Sequence, residues 1–170
     1  MRRNQNGFTV LELVVVLGLS AIISLIATSF TFQAFRSSAQ SEDYLTAVSN
    51  VENAGFWLSR DGCIADVVIT DNLTSPAILT LKWTDWGYGQ NNIYHSAIYS
   101  IKNLSAHIGQ LTRQYQSSDG TNLQMVIAGY IYYNADDLDN NTTVTYESPI
   151  LHFKVATRSG NACEVREYQV

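Results

Sequence analysis

The sequence predicts an α+β protein in which one long amino-terminal helix packs on an antiparallel β-sheet. An apolar run extends from Phe8 to Phe35, and helical periodicity continues beyond it to about residue 61. Short runs with period-two alternation fill the remainder of the chain. These patterns divide the chain into a seven-residue leader at 1–7, a helix of membrane-spanning length at 8–35, the amphipathic half of the helix at 36–62 and a β domain at 63–170.

The apolar run contains a single charge, the carboxylate of Glu12, and residues 13–35 carry no ionisable side chain. This length is sufficient for one helix to span a bilayer. Arg2 and Arg3 precede the span, whereas acidic residues follow it at 42 and 43. The positive-inside rule therefore predicts a single-pass protein of the cytoplasmic membrane with its amino terminus inside and the β domain outside.

The helix is predicted to continue with one apolar stripe after the span, because no proline occurs before Pro76. The stripe has steps of three and four residues. Its members are Tyr44, Val48, Val51, Gly55 and Leu58, with Ala47 and Ala54 beside them. We expect the small residues Ala47, Ala54 and Gly55 to let the helix of another subunit approach closely.

Eight runs rich in β-branched and aromatic residues predict the strands of the sheet, and turn residues separate them. The last two, joined at 158–162, are expected to form a carboxyl-terminal hairpin. The runs are Asp66–Thr70, Ile78–Trp83, Ile93–Ile101, Leu111–Gln116, Met125–Tyr133, Thr142–Tyr146, Ile150–Thr157 and Cys163–Val170.

The junction between leader and span has a distinctive order of residues, from Gly7 and Phe8 to Glu12. The stretch GFTVLE resembles the class III signal of type IV pilins and pseudopilins. The resemblance implies that a prepilin peptidase cuts after Gly7 and methylates the new amino terminus at Phe8. Loss of the leader would leave eight basic residues against fifteen acidic ones, a formal net charge of −7.

The spacing of this junction has a physical reason. Cleavage creates an amine at Phe8, about one helical turn from Glu12. A neighbouring helix shifted by about a turn can place its own amine beside Glu12, and such a pair at ~4 Å attracts by roughly 4 kcal/mol at an effective dielectric near 20. Lateral assembly is thus favoured over an unpaired carboxylate in lipid. The alternative is a plain membrane anchor with Glu12 at the level of the headgroups.

The end of the helix carries a second resemblance. The sequence NAGFWLSRDGCIADVV is similar to the Leu-x-Arg-Asp-x-x-x-Ala junction of minor pilins and pseudopilins of the J and W types, and the order of the following strands matches their usual layout. The resemblance implies a structural minor subunit of a type IV pilus or a type II secretion pseudopilus, involved in filament initiation. The implied partners are other pilin or pseudopilin subunits, the prepilin peptidase, the inner-membrane assembly platform, and membrane lipid before assembly. The implied location after assembly is an extracytoplasmic filament.

Two other functions stay open: a major pilin, and a competence-type pilin that contributes to DNA uptake. Nucleic-acid binding has little support, because the basic residues are dispersed in an acidic chain. Only Lys154, Arg158 and Arg166, near the final hairpin, form a candidate basic patch.

Catalytic motifs are not found in the sequence, so we predict no enzyme and no required cofactor. The three histidines, His95, His107 and His152, are scattered and are expected on the surface of strands or loops. One acidic segment places Asp137, Asp139 and Asn141 at alternate positions, as calcium loops do, although it lacks the glycine of an EF-hand. Calcium binding there is a weak alternative to a solvated turn.

Cys63 and Cys163 are the only cysteines. Outside the cytoplasm they could pair, and closing so long a loop would stabilise the fold by roughly 4–5 kcal/mol in the loop-entropy model. The alternative is two buried free thiols.

Overall fold

The computed structural model describes residues 9–71, 76–87, 91–134, 136–137 and 139–170, and at 103–104 it describes the backbone alone. It confirms the predicted α+β architecture, with one helix followed by antiparallel strands. All eight predicted strands are present, each within a few residues of its expected bounds. The elements are α1 Val10–Ile64, β1 Val67–Ile69, β2 Ala77–Asp85, β3 Ile93–Ser105, β4 Ile108–Ser117, β5 Asn122–Tyr132, β6 Thr143–Glu147, β7 Ile150–Ser159 and β8 Ala162–Gln169.

The chain divides into two compact units, one ending at Ser41 and the other comprising Glu42–Val170. In the first unit the side chains of α1 are exposed, and the most apolar window of the helix has a mean hydropathy of 2.6. Among the described residues, α1 is the one helix whose length and composition would allow it to cross a membrane.

Hydroxyl side chains within this apolar stretch are satisfied by the helix itself. Ser20 donates to the carbonyl oxygen of Val16 at 2.8 Å, and the hydroxyls at 24, 28, 29 and 31 bond in the same way four residues back. Hydrocarbon offers no water to a polar group, so these bonds allow the hydroxyls to be placed in lipid.

The second unit contains one sheet, in which the strands pair in the order β1-β2-β3-β4-β5-β7-β6. β8 also pairs with β7, on the edge opposite to the one that β5 and β6 share. All pairs are antiparallel. The predicted carboxyl-terminal hairpin is β7–β8, whose register runs from His152 opposite Gln169 to Ser159 opposite Ala162. Its turn uses Gly160 at φ +54°, and a Cβ there would collide with the carboxylate of Asp43. Glycine is therefore required both for the turn and for the approach of the helix.

The core lies between residues 47–61 of α1 and the inner face of the sheet. Val51, Ala54 and Leu58 are buried in it. Opposite them the largest buried side chains come from almost every strand. These include Leu79, Leu81, Tyr99, Leu111, Ile127, Ile131, Phe153 and Val155.

The small residues of the helix stripe do not form a site for another helix. Ala47, Ala54 and Gly55 are buried by the chain's own sheet, and the ring of Tyr168 lies where a side chain at Gly55 would be. The expectation that they admit a second subunit is therefore wrong. The sheet curls far enough around the helix for β8 to reach this stripe, which the sequence pattern does not show.

Polar side chains of α1 fix the helix to an irregular part of β5. The pairing of β5 with β4 shifts register twice between Gly109 and Thr112, which leaves backbone groups of β5 outside the ladder. Asn53 donates to the carbonyl oxygen of Ile127, and the amide N–H of Gly129 donates to Asn50 at 2.6 Å. These two asparagines satisfy backbone groups that would otherwise be unpaired.

An ion pair joins the end of α1 to the middle of the sheet. Arg113 donates through Nε and Nη2 to the two carboxylate oxygens of Asp61, at 2.6 and 3.0 Å. The hydroxyl of Tyr99 donates to the same carboxylate at 2.6 Å, and its oxygen lies 3.0 Å from the carbonyl oxygen of Trp57. Asp61, Tyr99 and Arg113 are 1, 0 and 6 % exposed. Burial and then the charge of Asp61 raise the pKa of Tyr99, so its hydroxyl stays protonated and donates.

Removing one partner of this pair should cost more than removing both. We predict that Asp61→Leu destabilises the second unit by about 3–5 kcal/mol, because Arg113 is left buried without its carboxylate. Asp61→Leu combined with Arg113→Met should recover much of that loss. Denaturant unfolding of the full chain in detergent, followed by tryptophan fluorescence, measures both. Equal losses in the single and double variants would contradict this account.

Candidate functional site

Glu12 lies in the first turn of α1 and forms reciprocal hydrogen bonds with Thr9, the residue before the helix. The backbone N–H and the hydroxyl of Thr9 both donate to Oε2 of Glu12 at 3.0 Å, and the N–H of Glu12 donates to Oγ1 of Thr9 at 3.3 Å. This is a capping box, in which two free donors at a helix start are satisfied. The role of Thr9 is not among the sequence-based expectations, although the order Thr-x-x-Glu before an apolar run is the signature of a capping box.

The capping box gives Glu12 only neutral partners. Glu12 is exposed in the isolated chain, and no cation lies within ion-pair distance of it among the described residues. Its second oxygen, Oε1, accepts no bond from a described residue. The carboxylate is therefore oriented by Thr9 and still available to a positive group from outside the chain. Gly7 and Phe8 lie outside the described residues, so their roles in cleavage and methylation stay predictions.

Cys63 and Cys163 are both free and exposed. The hairpin that carries Cys163 contacts the helix at Asp43 and Glu52. Asp43 precedes Cys63 by twenty residues, about 30 Å along a helix. The fold thus places the two thiols at opposite ends of the packed helix. In this structure the two cysteines are neither bonded to each other nor buried.

Two side chains of the acidic segment accept hydrogen bonds from nearby backbone N–H groups. Asn141 is buried and accepts the N–H of Asn134 at 2.8 Å, and Asp137 accepts the N–H of Asn140 at 3.1 Å. Among the described residues, no N–H or O–H group donates a hydrogen bond to the carboxylate of Asp139. Those residues bring no three His, Cys, Asp or Glu side chains together as a metal site. Calcium binding at Asp137, Asp139 and Asn141 stays an untested prediction.

The candidate basic patch is largely neutralised by its surroundings. Arg166 forms ion pairs with Glu52 and with Glu164, the latter at 3.2 Å. The ammonium of Lys154 lies 4.0 Å from Glu167. Arg158 stacks on the ring of Tyr132, with its Cζ 5.6 Å from the ring centroid. A patch for phosphate binding needs cations that are free of such partners.

A row of planar side chains lies on the inner face of the sheet where α1 ends. Trp83 stacks on His95 at 5.3 Å between ring centroids, and His95 stacks on Tyr115 at 5.8 Å. Arg113 lies over Tyr115 and over Trp57, and Arg60 lies over Trp57 at 5.1 Å. Together with Leu123 and Met125 these side chains line a groove of ≈ 450 Å³.

His95 differs from the expectation of a surface histidine. Its side chain is 8 % exposed, and its ring nitrogens contact Tyr115 Oη at 2.7 Å and Asp85 Oδ2 at 3.0 Å. The inner-facing position of residue 95 follows from its register opposite Trp83, which the sequence does not reveal. His107 lies in the tight turn between β3 and β4 at φ +64° and is exposed.

Comparison with known families bears on the first of these sites. Residues 2–28 match the prokaryotic N-terminal methylation motif. This match includes Gly7, Phe8 and Glu12, and it supports a type IV pilin-like or pseudopilin protein that is processed by prepilin peptidase and assembles with other pilin subunits. Together with the apolar helix, it also supports anchoring in a membrane. No curated protein and no solved structure matches the chain.

Processing can be tested directly on the mature protein. We predict that Phe8 is its first residue and is N-methylated, because Gly7 precedes Phe8 within the matched motif. Mass spectrometry of the amino-terminal peptide measures both the cut and the added methyl group. Gly7→Val should leave the leader attached. A mature chain that begins at Met1, or beyond residue 27, would contradict the prediction.

Proposed function

We propose that this chain is a structural minor subunit of a type IV pilus or a type II secretion pseudopilus, with a part in starting filament assembly. The observation that carries the assembly role is the isolation of Glu12. It is the one charge between residue 9 and Phe35, and its only described partner is the neutral Thr9. A carboxylate placed in lipid in this way is stabilised by a positive group of another subunit.

The order of events follows from the chemistry of the helix. The chain first lies in the cytoplasmic membrane with its amino terminus inside and its second unit outside. Cleavage by the prepilin peptidase then creates the amine that a neighbouring subunit can offer to Glu12. The assembly platform in the inner membrane would bring such neighbours together, and the helix would leave lipid for the filament as each pair forms.

A minor position in the filament is supported by the junction at the end of α1. Its Leu-x-Arg-Asp-x-x-x-Ala order places Asp61 in the buried ion pair with Arg113, so the motif has a structural role in this chain. The alternative of a major subunit predicts a different abundance. Quantitative mass spectrometry of sheared filaments should find a few copies of this chain per filament, and a homopolymer of it would contradict the minor role.

A role in DNA uptake is not favoured by the described surface, because the basic side chains of the final hairpin already contact carboxylates or rings. An enzymatic role has no positive support in the site geometry. We therefore propose a structural role with protein partners.

Two substitutions of Glu12 separate charge pairing from helix capping. Glutamine can accept the same bonds from Thr9 but carries no charge. We predict that Glu12→Ala and Glu12→Gln both reduce incorporation into sheared filaments, by roughly tenfold or more if most of a ~4 kcal/mol attraction is lost. Membrane insertion should be unchanged or improved, since a carboxylate in the span opposes insertion.

The outcome distinguishes three accounts. Loss of incorporation in both variants supports charge pairing. Normal incorporation of Glu12→Gln together with loss in Glu12→Ala would assign the residue to helix capping. Normal incorporation of both variants would overturn the proposed role of Glu12. Protease resistance of the second unit in each variant serves as the control for folding.

A further inference from the structure

The edge of β5 that faces away from β4 is open over residues 122–126. The strand pairs with β7 at one position only, Ile131 opposite Thr157. Because β7 ends at Ser159, it has no residues to set opposite the first half of β5. Asn50 and Asn53 of α1 bond the edge at Gly129 and Ile127, and no described strand pairs with it before that point. In an antiparallel ladder every second residue of such an edge directs its N–H and C=O outward.

This edge also lacks the features by which proteins protect open strands. The sequence of β5, NLQMVIAGYIY, contains no acid, no base and no proline. Of the other strands with an open edge, β1 has three residues, β6 ends in Glu147, and β8 carries Glu164, Arg166 and Glu167. Short length and charge block edge pairing in those strands. β5 is thus the long, uncharged edge among the strands described.

Apolar surface accompanies the open edge. Leu123 and Val126 are 53 and 56 % exposed, and Phe56 of α1 is 60 % exposed. Leu123 and Met125 line the groove at the end of α1, together with Trp57 and Arg60. A strand added about 4.8 Å beyond β5 would place its inward-facing side chains beside these two residues, at the groove.

We propose that this edge is a docking site for an extended strand of a different subunit in the filament, which adds to the sheet next to β5. The proposal rests on the filament role given above. The incoming segment is about five residues long, because the asparagines of α1 occupy the edge from Ile127 onward. Its main chain pairs with 122–126, and its inward-facing side chains are apolar.

Charge complementarity adds one feature of the partner. Arg60 is exposed beside the groove, lies over Trp57, and has no carboxylate within ion-pair distance among the described residues. A carboxylate at or next to the incoming strand would pair with it. The partner is therefore an extended polypeptide segment with alternating apolar residues and an acidic residue.

A second copy of this chain fits the edge less well. Antiparallel pairing of two β5 edges requires a two-fold axis perpendicular to the strands, which reverses one chain relative to the other. Contacts of residues 50 and 53 with 129 and 127 show that α1 runs antiparallel to β5, so its direction reverses too. In that arrangement β5 of the second copy would also offer no carboxylate to Arg60, because its sequence contains no acidic residue.

The test compares amide hydrogen exchange of the full chain alone in detergent with the same chain in purified filaments. We expect the amides of 122, 124 and 126 to be protected in filaments and not in the isolated chain. Equal exchange in both states, in filaments that contain the chain, would overturn the docking site while leaving the filament role intact. Complete absence of the chain from filaments would instead overturn the filament role, and the docking proposal with it.

Two variants at one position test the backbone pairing. Gln124→Pro removes an edge N–H, and proline is tolerated on edge strands. Loss of that bond and the steric clash with an incoming strand should reduce incorporation by about tenfold. Gln124→Ala keeps the N–H and should incorporate normally. Equal incorporation of both variants would overturn the proposal, as would equal loss in both.

Two further measurements complete the test. Thermal unfolding of detergent-solubilised Gln124→Pro checks its fold, and if it does not fold, the exchange measurement on the unaltered chain decides. A cross-link in filaments from residue 124 to a second copy of this chain, rather than to a different subunit, would overturn the choice of occupant.

Discussion

A carboxylate that leaves water needs a positive partner, and α1 carries two carboxylates to which this constraint applies. Asp61, at the carboxyl-terminal end of the helix, is 1 % exposed and is bound by Arg113 from the middle of the sheet. Glu12, at the other end, stands before an apolar run and is bound only by Thr9. Asp61 has its positive partner inside the chain, and the ion pair fixes the helix against its own sheet. No described group pairs with Glu12 in this way, and this difference separates the folding role of one end from the assembly role that we propose for the other.

The capping box explains how Glu12 can serve both before and after assembly. In the isolated chain Thr9 orients the carboxylate and satisfies free donors of the first helical turn. The bonds come from neutral groups and involve Oε2, so no described group compensates the charge, and Oε1 accepts no bond from a described residue. Hydroxyls further along the span donate to carbonyl oxygens of the helix itself and carry no charge. Glu12 is thus the single charge of the apolar run, and in the proposed assembly its position would set the axial offset between adjacent helices.

Local patterns were sufficient to predict the helix and all eight strands, because period-two alternation and turn residues are properties of short segments. They could not predict contacts that depend on register between distant strands. Arg113 reaches Asp61 because it lies opposite Tyr99 on the inner face of the sheet, and the side chain of His95 is largely covered because it lies opposite Trp83. Tyr168 fills the space at Gly55 because β8 reaches the helix, which no local signal shows. The capping box is different, since its Thr-x-x-Glu spacing is a local pattern that the sequence itself contains.

The pairing of Glu12 with a neighbour's amine can be measured by zero-length cross-linking. A membrane-permeant carbodiimide activates carboxylates and joins them only to amines in direct contact. In purified filaments the account predicts a cross-linked peptide that joins Glu12 to the amino terminus of an adjacent subunit, with no such product from the dispersed chain in detergent. The Glu12→Gln chain, if overproduced so that some enters filaments, should give no product at this position. A product that joins Glu12 only to its own amino terminus, or no product in filaments where other buried carboxylates react, would contradict the account.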